Sequence, residues 1–349
     1  MAREHLKPTL LSTAVAAGLA ATAIPAHALS LGISGQINKT LGAYDNGANN
    51  AWGVFDNINS GSRFRFTGEE DMGGGLKVGG VWEWQWSNTP TSSATFATNG
   101  GINQTTATLQ DRKTELYFAG KWGQVSLGKG DGAANGSAEV DLSGTTVIDY
   151  AGANGCLFGS MNFVNDNGTA NGAPTGVTGS ALSEFDGESR NDRIRYDTPV
   201  FGKVVSVAVS AGNQDEGEVA IWYDQKFNGW AGQLAAAIAT TDTGHGNGSQ
   251  VASTTPQKTS SFSVSWLLKN GLNFTGSLSQ RQISPNTGPA PSKPSYSYFK
   301  VGYKWSKNAV SLSAAQSKNQ ATDLSTGSSL KPTSIALSYV YTPVKDVEI

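Results

Sequence analysis

The residues able to do chemistry in this chain are charged or polar pairs spaced two apart and set among apolar neighbours. Arg63 and Arg65 flank Phe64, Glu83 and Gln85 flank Trp84, and Arg193 and Arg195 flank Ile194. Glu115 sits in the same kind of frame, beside Leu116. In an extended chain, residues two apart point to one face, so each pair puts charge on one side and apolar surface on the other. Charges in such rows sort ions and orient polar solutes without making or breaking bonds. The usual catalytic and ligating types are scarce. Cys156 is the only cysteine, which excludes a disulfide framework and CxxC metal or redox sites. His5, His27 and His245 are the only histidines, so zinc sites built from paired histidines are excluded too. Gly128-Lys129-Gly130-Asp131 lacks the phosphate-loop spacing, and the acids around Asp131 and Asp141 lack the twelve-residue calcium-loop pattern. No cofactor is called for.

The elements that must position these charges are strands. Leu31, Ile33, Ile37 and Leu41 share one face against Ser34, Gln36, Asn38 and Thr40. Leu76, Val78, Trp82, Trp84 and Trp86 alternate with Lys77, Glu83, Gln85 and Ser87. The pattern returns at Val205–Val209, Val219–Tyr223, Phe262–Leu268, Leu272–Leu278, Phe299–Trp305 and Ile335–Tyr341, with weaker runs at Trp230–Thr240 and Ala309–Ala315. About fourteen such runs fit the strand template. The parity of Trp82, Trp84 and Trp86 matches Leu76 and Val78, which puts this trio on the apolar face instead of in a sugar-binding track.

The joints alternate in length: short at 120–123, 199–203, 227–230, 270–271 and 306–308, long at 88–110, 130–191, 241–259, 282–295 and 318–331. Trp122, Phe201, Phe227, Trp230 and Trp305 lie beside the short ones, where an aromatic girdle would sit at a membrane interface. A soluble two-sheet β protein would also alternate, but its inner faces could not bury Arg63 with Arg65, Glu83, and Arg193 with Arg195. One face must be wet, and the apolar face must meet lipid. The expected fold is all-β, a transmembrane antiparallel up-and-down barrel. Arg3 and Lys7, the apolar or small run Leu10–Ile24 and Ala26-His27-Ala28 read as a secretory signal over 1–28, leaving 29–349 as the barrel. A net charge of −2 offers no basic face for nucleic acid.

Several stretches resemble the Gram-negative general-diffusion porins. They include Ser62–Asp71, Met72–Val78, Trp82–Trp84, Asp111–Gly120, Gly123–Asp131, Ala138–Gly144 and Ser189–Pro199, and it is their order that carries the likeness. The resemblance is strong over 29–210 and only of pattern beyond. It implies sixteen strands, a homotrimer set among outer-membrane lipids and lipopolysaccharide, and passive diffusion of ions and small polar solutes. It also implies that 130–191 is a loop folded into the barrel to narrow it. On that loop, acids such as Glu139 and Asp141 would face a basic wall. Arg63 matches the family's wall arginine, and its parity independently points it inward; Arg65, Arg193 and Arg195 point inward by parity alone. The constriction expected from these readings has Arg63, Arg65, Arg193 and Arg195 as bases and Glu115, Glu139, Asp141 and Glu83 as acids. Glu115 stands where related porins often carry arginine. The segment Thr342–Ile349 stands where two further strands ending in an aromatic are expected, so a truncated C-terminus is also an expectation. Other functions compatible with a barrel are a substrate-specific channel using inward Tyr117, Trp222 and Tyr298, an enzyme using His245, or an adhesin.

Overall fold

The alternating runs become strands almost throughout, in a computed structural model that describes residues 30–46, 49–97, 101–103, 107–153, 157, 159–161, 178–187, 189–213, 216–241, 256–284, 292–319 and 331–349. The signal region, Cys156 and His245 lie outside the described residues. In chain order the strands are β1 (Ser30–Gln36), β2 (Lys39–Asp45), β3 (Asn50–Asp56), β4 (Arg63–Asp71), β5 (Lys77–Ser87), β6 (Thr95–Phe96), β7 (Ile102–Asn103), β8 (Thr108–Gly120) and β9 (Gly123–Asp131). After the long loop come β10 (Arg190–Asp197), β11 (Val205–Gly212), β12 (Glu216–Phe227), β13 (Trp230–Thr241) and β14 (Gln257–Leu267). The last four are β15 (Leu272–Ile283), β16 (Ser295–Trp305), β17 (Asn308–Lys318) and β18 (Thr333–Tyr341).

Fourteen of them form one antiparallel sheet in the order β1-β4-β5-β8-β9-β10-β11-β12-β13-β14-β15-β16-β17-β18. The count is the fourteen that alternation gives, against the sixteen the resemblance implies, and no ladder joins β1 to β18 among the described residues. The first run, Leu31 to Leu41, is not one strand. It breaks at Ile37–Asn38, and β2 pairs with β3 as a separate hairpin. The joints at 120–123, 227–230 and 305–308 are tight two-residue hairpins. Asn228 and Gly229 both take positive φ, which a two-residue turn between right-twisted strands requires.

The sheet is inside out relative to a soluble protein. Phe262, Trp266, Leu278, Phe299, Leu312 and Leu337 lie exposed on the outward face, while the buried residues of β14–β17 are mostly serines and threonines. These hydroxyls are dry because the described parts of the loop, at 132–153 and 178–187, lie on them. Ser263 Oγ accepts from the Val140 amide at 3.2 Å and donates to the Ser137 carbonyl at 2.7 Å. Ser265 accepts from the Leu142 amide at 2.8 Å, Ser210 from Ala133 at 2.9 Å, and Ser279 from Phe185 at 2.9 Å. Loops inside proteins must satisfy their backbone groups, and a small hydroxyl does this while letting the loop approach the strand closely. Thus the inner face that polarity alone marks as wet is, over β14, β15 and β17, a dry seat for the loop.

At the middle of this seat is Lys300 of β16, with a fully covered side chain. Its Nζ reaches Asp141 at 2.7 Å, Thr145 Oγ1 at 3.0 Å, Ser143 Oγ at 3.2 Å and the Asp149 carbonyl. Asp149 also accepts from Tyr298, Ser311 and Ser313. Farther on, Val147 accepts from Asn57 and Asn59, and Met161 packs with Phe55 and Ala94, so the loop crosses to the β3 side. Removing one partner of a buried ion pair costs about 3–5 kcal/mol. Lys300→Met should therefore unseat the loop: limited proteolysis is expected to cut within 132–161 in the variant and not in the parent, and single-channel current should become noisier.

Candidate functional site

The charges collect on the inner face of β4, β5, β8 and β9. Its hub is Glu83, whose side chain has no solvent exposure because three arginines close over it. Arg65 Nε donates to Glu83 at 2.6 Å, Arg112 Nε at 2.7 Å, and an Arg63 guanidinium nitrogen lies 3.8 Å away. Arg63 is steadied further by Ser60 at 2.8 Å, and Arg112 by Gln85 at 2.7 Å. A second carboxylate, Asp131, holds Arg190 at 2.9 Å and Lys113 in a short contact. Five cations thus share two carboxylates along one wall.

Arg112 is present because of a bulge. Glu83 pairs with Lys113 but the next residue, Trp84, pairs with Asp111, so Arg112 is the extra residue. A bulge re-aims side chains locally, and here it brings both Arg112 and Lys113 to the inner face. Strict alternation would send Arg112 outward with Thr114, which is why parity misses it. Arg190 escapes for a similar reason: it lies at the first position of β10, where the loop ends and alternation has not begun.

Each residue expected at the constriction has a definite place. Arg63 and Arg65 lie on the inner wall, with 21 % and 40 % of their side chains exposed. Arg195 is partly exposed there too, paired with Asp197 at 2.7 Å and donating to the Gly132 carbonyl at 2.8 Å. Arg193 does not reach the opening. It is 3 % exposed and held at 2.5 Å by Glu115, with further bonds to the Asp131 and Gly128 carbonyls, so the two charges neutralise each other inside the wall. Glu83 is covered by its arginines and presents no acid to the opening. Asp141 is likewise turned away: at 1 % exposure it sits beneath the loop on Lys300 and anchors it. Of the inward aromatics, Trp222 packs beside the loop root at Ala134, Tyr298 is buried under Asp149, and Tyr117 donates to Glu69 at 2.8 Å. They form no continuous track.

The loop's own acids near the opening are Glu139, Glu184 and Asp186, whose carboxylates lie within 4.8 Å of one another. Glu184 and Asp186 come from the returning limb of the loop, a closeness that sequence distance hides. Burial first, and then the Glu184 carboxylate, raise the Glu139 carboxyl well above its usual range. Burial and Asp186 push Glu184 up to about 8. Burial and Glu139 raise Asp186, against the Gly136 amide and Arg190, which lower it. Close carboxylates cannot all ionise at once. The trio therefore keeps protons at neutral pH while the arginines opposite stay charged. A cavity of about 540 Å³ lies beside this site, lined by Gln36, Asn59 and Ser60, by Glu139, Val147 and Tyr150 of the loop, and by Thr342, Asp346 and Glu348 near the C-terminus.

Comparison with known proteins adds to this geometry. The Gram-negative porin family matches residues 12–221. No curated protein matches the sequence. Among solved structures, the anion-selective porin from Comamonas acidovorans aligns at 19 % identity over 91 % of this chain and 85 % of its own, with a TM-score of 0.58. OmpT, an outer membrane protein of Vibrio cholerae in a trimer form, aligns at 14 % identity over 92 % and 86 %, with a TM-score of 0.56. OmpF of Salmonella typhi, in a complex with daunomycin, aligns at 13 % identity over 92 % and 87 %, with a TM-score of 0.52. These likenesses fix the all-β fold, and the family match spans more than half the chain. Outward apolar faces, a polar interior crossed by a seated loop and a charged opening beside it agree with that match: the chain belongs to the Gram-negative porins and is an outer-membrane diffusion channel.

Proposed function

We propose that the channel passes small hydrophilic solutes with a preference for anions, and that it does so without bond chemistry. The observation that carries this reading is the partly exposed cationic wall, Arg63, Arg65, Arg112, Lys113 and Arg190, which among the described residues is held by the two carboxylates Glu83 and Asp131. Opposite it the loop trio is partly protonated, so the field across the opening is net positive. An anion meeting this wall exchanges water for guanidinium donors arranged in a fork, which suits carboxylate and phosphate oxygens. Apolar solutes lose water and gain no partner. The aligned Comamonas protein is anion-selective; here the preference is argued from this chain's own charges. The working form is a homotrimer in an outer membrane of lipid and lipopolysaccharide, reached after removal of the signal at 1–28.

A substrate-specific channel would need an aromatic slide, and two of its three candidate aromatics are packed against the loop. The expected test is a planar bilayer in a salt gradient, in which the parent's reversal potential has the anion sign. Arg112→Glu, and Arg63→Glu to a lesser degree, should move it toward cations, whereas outward Phe64→Leu should leave it unchanged. If neither reversal of charge moves the potential, the wall does not govern selectivity.

The pH dependence has a definite sign. Raised carboxyl groups lose protons as pH climbs, adding negative charge to the loop side while arginine stays charged. Arg190 and Arg281 favour the ionised carboxylates and so promote that change, whereas Asp131 and Glu218 reinforce the proton's hold. Anion preference should therefore weaken between pH 6 and about pH 9, around the Glu184 value of about 8. Because the folded trio binds protons more tightly than the unfolded chain, the same rise should also loosen the loop. Glu184→Gln should flatten the selectivity change.

A further inference from the structure

Two lysines stand on the inner face of β16, and only one of them is neutralised. Lys300 is sealed between Asp141 and Asp149. Lys304 is exposed, and among the described residues no carboxylate pairs with it. It shares the inward parity of Lys300 and Gly302. Its position is set by the loop. Gly144 takes a φ of 83°, and a Cβ there would stand 3.3 Å from Lys304 Cδ and 3.5 Å from its Cε. The glycine therefore lets the loop elbow rest on the methylene stem of the lysine. The ammonium stays in water at the turn end of β16, one residue before Trp305 closes the strand.

The opposite wall has no free cation at that level. β9 and β16 are fifth and twelfth in the fourteen-strand order, so half the sheet separates them. From Lys113 and Asp131 toward the short turns, the β8–β10 wall holds a cavity of about 550 Å³ that ends at Gln124 and Thr198. The remaining charges along it are Arg193 with Glu115 and Arg195 with Asp197, which cancel. Elsewhere at this end, Lys77 is bonded to Glu69, and Lys226 shares its face of β12 with Asp224. Asp346 and Glu348 line the cavity beside Gln36 and Asn59.

We infer that Lys304 is a second anion contact, on the short-turn side of the loop and across the channel from the arginine wall. The inference rests on the anion preference proposed above and adds a step to the path. A small carboxylate or phosphate that leaves the guanidinium groups meets balanced charge along that wall and a free ammonium opposite, so it crosses beneath the loop. Lysine suits this step because it is a strongly hydrated point charge without the planar fork of arginine. A contact near the exit of a channel must hold its solute weakly enough to release it.

The test is a planar-bilayer recording of the full chain in a salt gradient. Lys304→Glu should cut the anion-to-cation permeability ratio about twofold or more near 0.1 M salt, and less near 1 M, because the Debye length falls from ~10 Å to ~3 Å. Lys304→Arg should match the parent. So should Lys269→Glu, whose lysine stem lies on the neighbouring turn at Gly229. With Cys156 replaced by serine, Lys304→Cys gives a second reading that does not depend on how the glutamate variant assembles. A negatively charged methanethiosulfonate added from the short-turn side should lower the anion current through it, and a positively charged one should raise it. An unchanged ratio in Lys304→Glu while Arg112→Glu still shifts the potential would overturn the inference and leave the arginine wall standing. A Lys304→Cys channel indifferent to both reagents would overturn it as well. A parent reversal potential of cation sign would remove the anion preference itself, and the inference with it.

Discussion

A chain segment that crosses a water-filled barrel has to bind its own wall more strongly than it binds water, and this requirement organises the rest of the molecule. The loop 132–189 meets it with backbone amides set on serine hydroxyls and with Lys300 clasped between Asp141 and Asp149. Neither device is strong alone. A neutral hydrogen bond adds about 1 kcal/mol net, and a buried ion pair gives little over a well-packed apolar substitute. Together they fix a position, because each loop amide has one hydroxyl within reach and Lys300 has one set of oxygens. The polar interior of β14–β17 is therefore a register mark for the loop more than a surface for solutes.

Once the loop is committed to that side, the remaining opening falls against β4, β5, β8 and β9, and this makes the arginine wall functional. Glu83 is central in an indirect way. It is hidden from solvent, yet it gathers Arg63, Arg65 and Arg112, which would otherwise repel one another. An acid beneath three bases lowers the cost of concentrating positive charge at the opening and leaves the outer guanidinium edges free for a passing solute. The acids that do face the gap, at the joined limbs of the loop, are weakened by their own crowding. The opening is thus asymmetric in strength as well as in sign.

Much of this was legible in the sequence, and the parts that were not share a cause. Period-two alternation located the strands, including the weak runs that became β13 and β17, because lipid on one face enforces it residue by residue. It also put Arg63 and Arg65 on the inner side. It failed where the period is broken. The bulge at Arg112 inverts local parity, and the bend at Ile37–Asn38 splits one run into two strands. Arg190 lies where a loop becomes a strand. Parity also cannot tell a wet inner residue from one neutralised inside the wall, so Arg193 pointed inward and still ended up buried on Glu115, while Asp141, which the resemblance implied would face a basic wall, sits on Lys300 instead. The trio of Glu139, Glu184 and Asp186 depends on the path of a long loop, which no local pattern encodes.

The seating of the loop on the β14 hydroxyls is most directly tested where two side chains already touch. Ser137 Oγ and Ser261 Oγ are 2.6 Å apart. In a variant with Ser137→Cys and Ser261→Cys, and Cys156 replaced by serine, a disulfide should form on oxidation with single-channel conductance and ion selectivity unchanged. Two free thiols that both react with a water-soluble reagent from the pore would contradict the account, because they would show a loop standing off the wall.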